Sequence, residues 1–82
     1  MARIYFSSGL SQYTGGVESL DIDAPRVREL LEQVQQRFPQ LVEPLTIMSV
    51  AVDGVIHQHP DYVALEAASE VHLVPRIAGG TD

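Results

Sequence analysis

Cysteine is missing from this 82-residue chain. That one absence excludes a disulfide framework, a thiolate metal site and a cysteine nucleophile. Lysine is missing too, so all five cations are arginines: Arg3, Arg26, Arg28, Arg37 and Arg76. Against them stand eleven acidic residues, for a formal net charge of −6. A nucleic-acid binder needs clustered cations to displace phosphate counterions, and an anionic membrane surface makes the same demand. Neither suits this chain, whereas a protein partner with a basic face does. No apolar run approaches the roughly 20 residues of a membrane span. Met1-Ala2-Arg3-Ile4-Tyr5-Phe6 lacks the apolar stretch of a secretory signal, and a cytoplasmic protein is expected. The length rules out a cleft between two lobes and allows one small domain. Such a domain buries only roughly 60% of the surface its unfolded chain exposes.

What is present has the pattern of a folded body: 45% hydrophobic and 20% charged residues, as in a globular domain. Ala2 to Phe6 reads as a strand, with Ile4 and Phe6 on one face and Arg3 and Tyr5 on the other. The small residues from Ser7 to Gly16 connect it to a second strand, Val17 to Ile22, whose apolar face is Leu20 and Ile22. The two form an antiparallel hairpin with a long loop. Val27, Leu30, Leu31, Val34 and Phe38 then recur with a 3.6-residue period, which predicts an amphipathic helix. Asp23 is placed to cap it, Pro25 suits its first turn, and Pro39 stops it.

From Gln40 to Thr46 the chain reads as irregular, with Leu41, Val42 and Leu45 tucked beneath it. Ile47 to Val52 is a β-branched strand for the sheet interior. Asp53-Gly54 is a tight-turn signal, after which Val55 to His57 returns as a short strand. Tyr62 to Leu65 is a weaker extended segment and Glu66 to Glu70 a turn. Val71 to Val74 is a last strand, closed by Pro75. The expected fold class is α+β: a two-layer roll in which one mixed sheet of four to five strands packs on one main helix.

After Pro75 the pattern dissolves into Arg76-Ile77-Ala78-Gly79-Gly80-Thr81-Asp82. A domain over residues 1–76 and a flexible tail over 77–82 are expected. Together the element order, Val50-Ala51-Val52-Asp53-Gly54, Ser69-Glu70-Val71-His72-Leu73-Val74-Pro75 and the Ile77-Ala78-Gly79-Gly80 tail resemble the ubiquitin-like sulfur carriers. That family, of β-grasp fold, includes the thiamine sulfur carrier and the small subunit of molybdopterin synthase. The likeness covers nearly the whole chain. Tyr13-Thr14-Gly15-Gly16-Val17 is also similar to the actinobacterial-type carrier of cysteine biosynthesis.

The resemblance implies a carrier that is not an enzyme and has no catalytic residues of its own. An adenylyltransferase of the ubiquitin-activating type would join the Gly80 carboxyl to AMP, using ATP and Mg²⁺ as its own co-substrates. A persulfide enzyme would then convert the acyl group to a thiocarboxylate, and a downstream enzyme would accept the sulfur. Ile77, Ala78 and Gly79 would form the tail, its glycines slim enough to thread a narrow channel. No cofactor stays bound. A main-chain thiocarboxylate also accounts for a sulfur-handling protein without cysteine.

One departure bears on the mechanism. Thr81 and Asp82 follow the second glycine, so the Gly80 carboxyl is locked in a peptide bond until they leave. Two readings follow: a processing peptidase, in some systems a zinc metallopeptidase of the JAMM type, trims this extension and gates activation, or the chain is a relative that has lost the carrier role. Asp82 adds charge beside the acyl position, which should disfavour adenylation of the untrimmed form. The alternatives are a ubiquitin-like modifier, joined through the activated glycine to a target lysine, and a molybdopterin synthase small subunit inserting its tail into a larger catalytic subunit. Without lysine the chain cannot build side-chain-linked polymers of itself.

Other constellations are weaker. His57, His59 and His72 lack a ligand motif, and no metal site is expected. Ser7, Ser8, His57 and Asp53 could be drawn as a hydrolytic set, but no nucleophile elbow surrounds the serines. Gly15-Gly16 lacks the lysine and helix start of a phosphate cradle and is expected to be a turn. The sheet face away from the helix is the expected docking surface, with Arg3, Tyr5, Val50, Val52 and His72 as its candidate residues. A one-residue slip of register would invert that set.

Overall fold

The computed structural model describes residues 1–75. Its elements are β1 (Ala2–Tyr5), α1 (Ser11–Thr14), β2 (Ser19–Ile22), α2 (Val27–Arg37), α3 (Val42–Leu45), β3 (Met48–Val52), β4 (Val55–His57) and β5 (Glu70–Pro75). The strands form one mixed sheet in the order β2-β1-β5-β3-β4. β5 is the last strand in sequence yet lies in the middle, parallel to β1 and antiparallel to β3. It therefore ends at the same pole of the sheet as β1, here called the upper pole.

The long helix forms where its apolar period demands. Val27, Leu30 and Val34 are fully buried against the sheet's inner face, and Leu31 and Phe38 pack at the margin. Its start differs from the sequence expectation. Arg26, not Asp23, is the residue before the first turn, and no side chain caps the helix. Asp23 instead offers its carbonyl to the Gln33 side-chain amide. A cap is worth about 1 kcal/mol, whereas burying each of three apolar side chains contributes roughly 1.5–3 kcal/mol. Packing decides where this helix begins. The extended segment around Ala64 reinforces the start: the Val27 N–H donates to the Val63 carbonyl, and the Leu65 N–H to that of Pro25.

Facing the helix are Ala2, Ile4, Ile22, Val50, Val52, Val71 and Leu73, all buried. Phe6 meets Phe38 edge to face, with ring centroids 5.8 Å apart, the geometry that the ring quadrupoles favour. Two connections are more ordered than the sequence suggested. The long loop of the first hairpin folds into a 3-10 turn over Ser8–Leu10 and then α1, plugging Leu10 into the core. Likewise Pro39–Leu41 and α3 replace the irregular stretch after the long helix. There Leu41 is buried and Leu45 partly so, but Val42 is exposed, contrary to expectation.

Asp53-Gly54 forms the expected tight turn, with φ of 51° and 85°. Both values are left-handed, which matches the twist of the strands it joins. Among the described residues no helix is long and apolar enough to cross a membrane.

Candidate functional site

The geometry follows from strand pairing. Tyr5 lies opposite both Ser19 and His72, His72 opposite Ala51, and Ala51 opposite Ile56. Paired residues share a face, so this row crosses the whole outer side of the sheet. One row nearer the lower pole, Arg3 pairs with Asp21 and Glu70. One row nearer the upper pole, Ser49 pairs with Val74.

Arg3, Tyr5 and His72 thus stand on the outer face, as expected. Val50 and Val52 do not. They pair with Leu73 and Val71 and are buried in the core. The register between β3 and β5 turns Ala51, not its two valine neighbours, outward.

The outer face is divided. On β1 and β2 the Arg3 Nε donates to the Asp21 carboxylate at 2.8 Å. This hydrogen bond holds the Asp21 carboxyl below its usual range, and it raises the pKa of Arg3. In the centre, Tyr5 and His72 stack with rings 4.6 Å apart and nearly parallel. On β4 Ile56 is 58% exposed, whereas Ala51 beside it faces outward but is only 7% exposed. Ile56 was not singled out from sequence. The Asp53-Gly54 turn was the signal that could have found it, because a two-residue turn fixes which residues of β3 and β4 oppose each other.

The upper pole is where β5 leads out. Pro75 lies opposite Met48, and neighbouring Ile47 is 68% exposed although the sequence placed it in a buried strand. On the other flank the end of β1 continues into Ser7, Ser8 and Gly9, all exposed. The expected site residues Ile77, Ala78, Gly79 and Gly80, the extension Thr81 and Asp82, and the domain boundary at 76 lie outside the described residues.

The other sequence candidates are dispersed. His57 pairs with Val50 on the inner side of the edge strand, whereas His72 is on the outer face. Among the described residues no three histidine or carboxylate side chains are grouped to hold a metal ion. Ser7 and Ser8 lie at the upper pole. Asp53 lies at the lower pole, where its carboxylate accepts the Glu70 N–H and its own N–H donates to the Glu70 carbonyl. No hydrolytic set is assembled. Gly15, at φ 66°, terminates α1, and Gly16 continues the turn.

A five-strand mixed sheet in this order, wrapped on one principal helix, is the ubiquitin-like β-grasp fold. The sequence matches the ThiS family over residues 4–80, and the chain belongs to that family. Solved structures agree on the fold. CysO in the BexX/CysO complex of Amycolatopsis orientalis superposes with a TM-score of 0.83 at 18% identity, over 98% of this chain and 100% of that one. Small archaeal modifier protein 1 of Methanosarcina acetivorans gives 0.80 at 15% identity, over 96% and 95%. A putative molybdopterin converting factor subunit 1 from Pyrococcus furiosus gives 0.76 at 22% identity, over 93% and 97%. No curated protein matches the chain in sequence.

Proposed function

We propose that this protein is a sulfur carrier working through the main-chain carboxyl of Gly80, once Thr81 and Asp82 have been removed. The observation that carries the reading is the extent of the family match, which runs through the tail and stops at Gly80. The fold supports it: β5, which precedes that tail in sequence, is the central strand of the sheet and pairs on both sides.

The chain's own part in the chemistry is to present an unhindered acyl group. In the loading step the freed carboxylate of Gly80 attacks the α-phosphate of ATP in a partner adenylyltransferase, and pyrophosphate leaves. A persulfide sulfur then displaces AMP, and reduction of the acyl disulfide by a thiol leaves the thiocarboxylate. Electrostatic and acid–base assistance comes from the partner. The outer sheet face, from Tyr5 and His72 across to the exposed Ile56, is the surface that would dock it, since exposed apolar area rimmed by polar groups suits protein partners. A metallopeptidase that releases Thr81-Asp82 would control entry to the cycle.

Pyrophosphate exchange with an adenylyltransferase and ATP tests this on two forms, the full chain and a chain ending at Gly80. Exchange with the Gly80-terminated form alone is expected. Equal exchange with both would remove the gating step, and exchange with neither would remove the carrier role. A second reading, a protein modifier, draws on the likeness to the archaeal modifier. Mass spectrometry of cell extract separates the two. A species ending at Gly80 with one oxygen replaced by sulfur marks a carrier, whereas Gly-Gly remnants on lysines of other proteins mark a modifier.

A further inference from the structure

The sheet has two edge strands, β2 and β4, and they are guarded unequally. A bare edge offers its backbone donors and acceptors to any strand that meets it, and charge is a common safeguard. The Phe6 N–H donates to the Glu18 carbonyl across the β1–β2 pair. Backbone groups alternate from side to side along a strand, so Ser19 and Asp21 turn theirs toward the open edge. Glu18, Asp21 and Asp23, all exposed, stand along it.

β4 has no such guard. The Asp53 N–H donates to the Glu70 carbonyl at 2.8 Å, so the backbone groups of Asp53 and Ala51 point toward β5. Val52 and Val50 therefore bond Val55 and His57, and Ile56 turns its N–H and C=O away from the sheet. Among the described residues no other backbone group bonds them. Val55-Ile56-His57-Gln58 contains no carboxylate, lysine, arginine or proline. The register with β3 is unbroken, so no bulge bends the strand away. Its side chains are open as well. Ile56 on the outer side and Val55 on the inner side are each 58% exposed, so α2 does not roof this strand.

We propose that β4 is a self-pairing edge, joining antiparallel to β4 of a second copy about a two-fold axis through Ile56. The strand complements itself in that register. Ile56 meets Ile56, and the two residues exchange both backbone hydrogen bonds. Val55 lies opposite His57. Further out, Gly54 falls opposite Gln58 and Asp53 opposite His59, so a carboxylate faces an imidazole and no acid faces an acid. A two-fold contact also closes on itself, whereas β4 laid on the β2 edge of another copy would continue into an open chain.

A three-residue strand buries less than the roughly 1,200 Å² of a lasting interface. The dimer is therefore weak and reversible, filling as concentration rises. It does not depend on the chemistry of Gly80. Because Ile56 also belongs to the docking face proposed above, a paired copy offers less of that face to an enzyme.

The full chain lends itself to a register test, because it lacks cysteine. Ile56→Cys and Val55→Cys each introduce one thiol, at neighbouring positions of equal exposure. Across the two-fold axis the α-carbons of residue 56 lie about 5.5 Å apart, a separation that a disulfide spans. Those of residue 55 lie on the diagonal at about 7–8 Å, which it does not. Oxidised glutathione is the oxidant: two protein thiols become one disulfide, and the glutathione disulfide is reduced to two thiols. Ile56→Cys should give covalent dimer about tenfold or more faster than Val55→Cys.

Sedimentation equilibrium of the wild type up to about 1 mM should show a reversible monomer–dimer equilibrium. Ile56→Lys sets like charges opposite each other and should weaken it about tenfold or more. Ser19→Lys, on the other edge, should change it no more than about twofold. A wild type that stays monomeric would overturn the proposal and leave the edge to a strand of another protein. Equal cross-linking of the two cysteine variants, or a dimer lost with Ser19→Lys and kept with Ile56→Lys, would overturn it as well. Circular dichroism checks the fold of each variant first. The cysteine pair, altered only at exposed positions, decides the matter should a lysine variant unfold.

Discussion

Two hairpins in this sheet are built on opposite plans. The first, β1 and β2, is joined by a long connection that folds back into the core through Leu10 and Thr14, both buried. The Thr14 hydroxyl donates to the Val17 carbonyl at 2.9 Å and so fastens the connection to the strand that follows. The second, β3 and β4, closes through two residues, and its outer strand leaves Val55 and Ile56 each 58% exposed. The connection of one hairpin is fixed from within the core, and that of the other by the local geometry of its two-residue turn. Pairing in a sheet does not by itself say where the stability resides.

Mutations can break that contrast. Leu10→Ala should have the largest effect, lowering unfolding stability by about 2–5 kcal/mol, the usual cost of truncating a buried leucine. Urea denaturation measures it, and a loss below about 1 kcal/mol would show the first connection to be a detachable loop. Gly54→Ala should cost about 1 kcal/mol, because the turn holds this residue at φ 85°, where a Cβ is strained. The same titration reports it. Ile56→Thr should change stability by no more than about 0.5 kcal/mol while weakening binding of an adenylyltransferase in calorimetry. Unchanged affinity would take the apolar half of the outer face out of the docking surface.

The smallest effect is electrostatic. The hydrogen bond from Arg3 depresses the Asp21 carboxyl in the folded state. A carboxylate whose folded pKa lies below its unfolded value stabilises the fold above that unfolded value, and the contribution is lost as pH falls through the folded one. Both side chains are half exposed, so the gain is slight and screened by salt. Asp21→Asn should therefore be marginally less stable at neutral pH, with the difference vanishing on acidification and in high salt. Thermal melts across pH check the sign.

How much of this could be read from the residues alone depended on length scale. The stripe Val27, Leu30, Leu31, Val34 and Phe38 spans three turns, and its helix is present over Val27–Arg37. The Asp53-Gly54 turn and the alternation of Ile4 with Arg3 and Tyr5 were equally legible. Elements of four residues, such as α1 and α3, complete little more than one turn and leave no period to detect. The outward face of β3 was hidden for a different reason. Val50, Ala51 and Val52 are all apolar, so no alternation marks a face, and only pairing with β5 selects Ala51. The cap was misread because Asp23 has the right chemistry, yet the backbone pairing of 25–27 with 63–65 sets the start of the helix. The tail's glycines were evident in the sequence and lie outside the described residues.

The place of β5 has a consequence for biosynthesis. The segment that fills the middle of the sheet is the last of the five strands to leave the ribosome, and it must insert between β1 and β3, which were made long before. Until it does, Ile4 and Val50 lack the Val71 and Leu73 wall that covers them, and the nascent chain has no finished core. Non-local pairing of this kind is slow to form and cannot be nucleated early. A copy cut short before β5 would lack the strand that joins β1 to β3, and the sheet would be left in two halves.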